Sequence, residues 1–139
     1  MSSLQAVRAL ARMSRLLERA SGDVSLAHYR VLAAVADGDE RASLVASRLA
    51  LGKPTISASV DALCRRGLLL REDVAHDQRV TALRLTAAGE DLLRETEAAM
   101  TERLDAVLAR MPRGADSLAA LARLGTGLDR LANERLAAR

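Results

Sequence analysis

The sequence has no tryptophan, no phenylalanine and a single tyrosine, Tyr29. Single-stranded nucleic acid is gripped largely by bases stacked on several aromatic faces, so this shortage argues against that class of binding and leaves duplex DNA open. One cysteine, Cys64, excludes an intramolecular disulfide framework and fits a reducing compartment. The two histidines, His28 and His76, are far apart, and no H-x-x-x-H or C-x-x-C pair exists, so no metal site is expected and no cofactor is called for. Nucleophile with base, paired acid groups and a phosphate-binding glycine loop are likewise missing, which argues against an enzyme. No run of about 18 apolar residues occurs, and arginines recur at helical intervals near the N-terminus, so a soluble, unprocessed, cytoplasmic protein is expected with no membrane partner.

The 139 residues suffice for one compact domain with a core of its own. The net charge of +3 is unevenly placed: residues 41–84 hold eight Arg/Lys and four Asp/Glu, which leaves thirteen basic and fourteen acidic residues elsewhere. A local +4 in a frame of −1 suits a phosphate-facing module on a separate scaffold. An Arg- and Ala-rich composition that simply decorates every surface is the alternative.

Leu4, Val7, Leu10, Ala11, Met13, Leu16 and Leu17 predict an amphipathic helix over residues 3–20. A second helix is expected over 26–36, capped by Ser25 and stopped by Asp37-Gly38, and a short third over 44–50, capped by Ser43. Pro54 opens and Gly67 closes the next helix, with Ile56, Val60, Leu63 and Cys64 inward and Thr55, Ser57, Ala58, Ser59, Asp61 and Ala62 outward. An Asp61 to Arg65 ion pair is expected on its surface. Leu68–Arg71 and Val80–Leu85 read as strands around a polar tip, Glu72–Arg79. Thr86 caps a long helix to about Arg110, Pro112-Arg113-Gly114 interrupts it, and Leu118, Leu121, Leu124, Leu128, Leu131 and Leu136 stripe a last helix.

The fold class is therefore mainly α with a small β-hairpin: a winged helix-turn-helix with N- and C-terminal dimerisation helices. Its parts are residues 1–24, a dimerisation helix; 25–86, the winged lobe; and 87–139, the long helix and second dimerisation helix. The terminal stripes, including Leu4, Val7, Leu10, Leu121, Leu124, Leu128 and Leu131, exceed what a winged lobe of about 70 residues covers, so they are expected to pack on each other and on a second subunit. A four-helix packing within one chain is the alternative.

Val60-Asp61-x-Leu63-x-x-Arg66-Gly67-Leu68, the Asp77-Gln78-Arg79 triplet and Leu85-Thr86-x-x-Gly89, in this order and spacing, resemble the MarR family of bacterial transcriptional regulators. The likeness spans nearly the whole chain. It implies a homodimer on a pseudo-palindromic operator in double-stranded DNA, a repressor associated with the nucleoid, and release by a small-molecule effector such as an aromatic acid. The recognition helix would be residues 54–66, with Lys53, Pro54, Thr55, Ser57, Ala58 and Ser59 facing DNA. In the wing, Asp77 would hold Arg79 in the minor groove, with His76 and Gln78 beside it; a narrow minor groove favours arginine. Ala58 and Gln78 stand where arginines are frequent in the family, which shifts the expected readout toward backbone contacts and groove shape. Effector contacts implied near the junction of lobe and dimer region are Arg8, Arg12, Met13, His28 and Tyr29. Two other readings stay open: a winged-helix protein-interaction module without a DNA role, and redox sensing through Cys64, although its place on an apolar stripe favours a buried, inert thiol.

Overall fold

The computed structural model describes residues 2–73 and 81–138, and has the order α1 (Ser3–Ala20), α2 (Leu26–Ala36), α3 (Ala42–Leu49), α4 (Lys53–Arg65), β1 (Leu69–Asp73), β2 (Thr81–Leu85), α5 (Ala87–Leu108) and α6 (Gly114–Ala137). Helix starts follow local chemistry. Ser2 and Gln5 form a capping box on α1, Ser25 accepts from the His28 amide at 3.1 Å, and Thr86 accepts from the Gly89 amide at 2.9 Å. The expected Ser43 cap is not formed: α3 starts two residues earlier, with Arg41 before it and no side-chain cap, because the chain at Arg41 pairs as a short bridge with Ala82 of β2. That bridge fixes the entry to α3 against the hairpin.

The strands pair antiparallel, Leu69 opposite Leu85 and Asp73 opposite Thr81, so Glu72 and Asp73 extend the ladder rather than belonging to the tip. Gly67 adopts φ +72, the left-handed turn that ends α4 and reverses the chain into β1. One core gathers Val31, Leu32 and Val35 of α2, Val45 of α3, Ile56, Val60 and Leu63 of α4, Leu68, Leu69, Leu83 and Leu93. Each large aliphatic chain so buried contributes roughly 1.5–3 kcal/mol, which fixes α4 to the lobe along the Ile56, Val60 and Leu63 face the sequence predicts.

The terminal helices differ from this. No described residue of α1 is buried, and in α6 only Ala132 is. Their packing also departs from expectation: α1 lies along α5, while α6 lies against α3 and α5, so within one chain the terminal helices do not mainly cover each other. Leu4, Val7, Leu10, Leu121, Leu124, Leu128 and Leu131 remain 38% to 60% exposed.

Candidate nucleic-acid interface

Helices α3 and α4 form the helix-turn-helix, joined through Ala50 in the left-handed region at φ 55 and closed by the Leu51 amide donating to the Ala46 carbonyl at 2.9 Å. Gly52 precedes α4 in an extended conformation with no side-chain cap, and Pro54 occupies its first turn. Lys53, Pro54, Thr55, Ser57 and Ala58 are exposed along the first half of α4. Ser59 is corrected from the expected outward set: it is 9% exposed, because a helix turns by 100° per residue and carries it toward the Ile56 and Val60 side. Between α3 and α4 a cleft of about 160 Å³ is lined by Ala42, Ser43, Ala46, Lys53, Ile56 and Ser57. Ser43, expected as a cap, lines this cleft instead.

The wing is braced to α4 by an ion pair between Arg71 of β1 and Asp61 of α4. The pairing raises the Arg71 pKa above its ordinary value, chiefly through the hydrogen bond from the guanidinium to Asp61. This replaces the expected Asp61 to Arg65 pair: a strand neighbour ten residues away satisfies the carboxylate better than the helix neighbour does. Arg84 on β2 pairs with Glu72 of β1 at 2.8 Å, and Arg48 of α3 lies 2.7 Å from Asp39 and 3.2 Å from Asp129 of α6. Among the described residues of the lobe, Arg30, Arg41, Lys53, Arg65 and Arg66 have no carboxylate partner. The unpaired positive charge of the lobe thus sits at both ends of α4, at the entry to α3 and, through Arg30, on α2. His76, Asp77, Gln78 and Arg79 lie outside the described residues.

Residues 22–80, spanning α2 to β1 and the segment after it, match the family model described as MarR family. That segment, the winged lobe, is similar to the MarR family. The order of elements also matches solved MarR-family structures. CouR, a transcriptional repressor bound to a 23-mer DNA duplex, superposes with TM-score 0.78 at 23% identity over 91% of each chain. Apo MarR from E. coli gives 0.75 at 16% identity, over 92% of this chain and 97% of that one. The PcaV regulator from Streptomyces coelicolor, in complex with its natural ligand, gives 0.67 at 26% identity, over 88% of this chain and 89% of that one. No curated protein matches by sequence. The chain therefore has the winged-helix fold of this family of transcriptional regulators, and no helix among the described residues is long and apolar enough to cross a membrane.

Of the residues that the MarR resemblance assigns to an effector, Met13, His28 and Tyr29 are half-buried, whereas Arg8 and Arg12 are exposed on α1. The Tyr29 hydroxyl donates to Glu97 Oε1 of α5 at 3.1 Å. Its pKa is pushed up to about 12, first by burial and then by the Glu97 carboxylate. An anionic ligand at Tyr29 would meet Glu97 before either arginine. Cys64 is half-buried and packs against the core rather than being fully enclosed. Among the described residues no group of His, Cys, Asp and Glu is placed to hold a metal ion.

The sequence reading missed the Arg71 to Asp61 brace, the Arg48 contacts and the Ser43 position. Arg71 and Asp61 are ten residues apart and belong to different elements, so no helical spacing connects them. Only the packing of β1 on α4 brings Arg71 over Asp61.

Proposed function

We propose that the chain is a homodimeric transcriptional repressor that binds a pseudo-palindromic operator in duplex DNA. The observation that carries this reading is Lys53. It stands at the first position of α4, exposed and without an ion-pair partner among the described residues, where the positive end of the helix dipole disfavours a cation. A phosphate at that point meets the lysine and the free amides of the helix N-terminus together. The same register sends the exposed Thr55, Ser57 and Ala58 toward base edges, the hydroxyls as donors or acceptors and the Ala58 methyl toward thymine. Arg65 and Arg66 add charge at the other end of α4, and CouR, of the same fold, is bound to duplex DNA. In this reading the minor-groove contact of the wing falls to Arg79, with Asp77, His76 and Gln78 as the other wing residues at DNA.

The domain reading follows. Residues 25–86 form the DNA-reading lobe, and 1–24 with 87–139 carry the dimer, whose seam is the exposed leucine stripe of α1 and α6. Half-sites about 34 Å apart along B-DNA require two lobes at a fixed separation. A small ligand seated among α1, α2 and α5, near Met13, His28 and Tyr29, would release DNA by favouring another separation. The ligand complex of PcaV supports an effector for this chain. An aromatic acid here requires Arg8 or Arg12 to turn inward and offset Glu97.

Selection of bound genomic fragments, followed by gel shifts with wild type and Arg79→Ala, tests the proposal. Recovery of a sequence with dyad symmetry, bound much more weakly by Arg79→Ala, supports it. Compounds are then screened for release of the recovered site. A chain that selects no sequence and captures a protein instead would favour the interaction-module reading.

A further inference from the structure

Helix α6 packs against α3 of its own lobe but buries little of itself there. Of its described residues only Ala132 is buried, and three positions earlier on the adjoining turn Asp129 reaches Arg48 of α3. Arg48 is also the cation of Asp39, which ends the turn after α2: its side chain is only 11% exposed, its amide donates to the Ala34 carbonyl at 3.0 Å, and its Oδ2 lies 2.7 Å from Arg48 Nε. That oxygen has no well-directed hydrogen bond among the described residues, so the Arg48 charge is what compensates it. One guanidinium thus joins three segments: the α2 turn, the first helix of the helix-turn-helix, and α6. Asp39 is rigidly placed, because the next residue, Glu40, accepts from the Leu83 amide of β2.

We propose that Arg48 is a positioning residue for DNA binding: a clamp, anchored on Asp39, that fixes the angle of α6 to the helix-turn-helix through Asp129. This rests on the reading of α6 as a dimerisation helix. If the leucine stripe of α6 joins two chains, the angle between α6 and α3 sets where each α4 lies, and the clamp sets the separation of the two recognition helices. The geometry favours this role over a direct DNA contact, since Arg48 is occupied by two carboxylates and has no net charge to offer a phosphate. Asp129 is the adjustable leg, being the exposed member, and Asp39 is the fixed one.

The test uses the full chain with spin labels at exposed positions of the lobe and of α6, Ala27→Cys and Ala119→Cys, in a Cys64→Ala background, diluted into unlabelled protein so that only intrachain distances are read. Asp129→Ala should broaden the distance distribution, and Asp129→Glu should restore it. With the operator in hand, Asp129→Ala should lower discrimination between the native site and one carrying a single inserted base pair by about two- to fivefold, as suits loss of one exposed ion pair. Binding to random duplex should be unchanged. The double variant Arg48→Ala/Asp39→Asn, which leaves no buried charge unpaired, should broaden the distribution further. An unchanged distribution in both variants overturns the proposal, as does an equal loss on native, altered and random DNA. If wild type binds no duplex, the proposed function fails while the distances still decide the clamp.

Discussion

Lys53→Gln should move folding stability and DNA affinity in opposite directions. Lysine and glutamine have similar intrinsic helix propensities, so the exchange at the first position of α4 mainly removes a positive charge from the helix N-terminus. Among the described residues that charge has no carboxylate to offset it, and relief of its conflict with the dipole is worth about 0.3–1 kcal/mol. For a chain of 139 residues this corresponds to a rise in melting temperature of roughly 1–4 °C, measured at one protein concentration because dimerisation also shifts it. On DNA the same exchange deletes one phosphate contact. The slope of log affinity against log salt should then fall by about 0.9 per lysine in each dimer half, with similar weakening on all sequences. Differential scanning fluorimetry and fluorescence anisotropy at several salt concentrations read the two effects. A variant that melts lower than wild type, or binds DNA with an unaltered salt slope, would refute the placement of Lys53 at a phosphate.

Gly89→Ala, which in an ordinary helix gains about 1 kcal/mol, should instead lose about 1–3 kcal/mol in urea unfolding. A Cβ there would lie 2.1 Å from the Leu68 carbonyl oxygen, and that carbonyl is held by the Thr86 amide at 3.1 Å. A gain in stability would contradict the close approach of α5 to the start of β1. The single tyrosine makes the Tyr29 to Glu97 contact readable by tyrosinate absorbance, with a midpoint near 12 in the folded protein and near 10.0 when unfolded. Because the folded pKa is the higher, the unfolded chain loses its proton first, so stability falls as pH rises from about 10 to 12; Tyr29→Phe should remove this component. Leu128→Glu should convert the dimer to monomer in sedimentation equilibrium without unfolding it, since Leu128 is 59% exposed within one chain. A dimer that persists would place the seam elsewhere.

Much of the fold was legible because it rests on local rules. Ser25, Thr86, Gly67 and Pro54 punctuate the helices where their backbone chemistry requires, and the Ile56, Val60 and Leu63 stripe gives the buried side of α4 directly. What escaped depends on distance in sequence. Ser43 lost its capping role to a bridge between Arg41 and Ala82, and Asp61 found Arg71 across the turn instead of Arg65 along the helix. Ser59 shows a subtler limit: a small polar residue at the edge of an apolar stripe carries no signal about which side it takes, and packing decides. The partner of α6 within the chain was equally hidden, because a leucine stripe states that a face needs covering and says nothing of the residues beside it, such as Asp129, which meets Arg48 of α3.

An anisotropy titration of the wild-type chain on the duplex recovered by genomic selection, run against a scrambled duplex at several salt concentrations, bears on the DNA-binding role without intermediaries. The recovered site should bind about a thousandfold or more tighter than the scrambled one, and log affinity should fall linearly with log salt. Equal affinity for both duplexes, or no binding at low salt, would contradict a sequence-specific regulator.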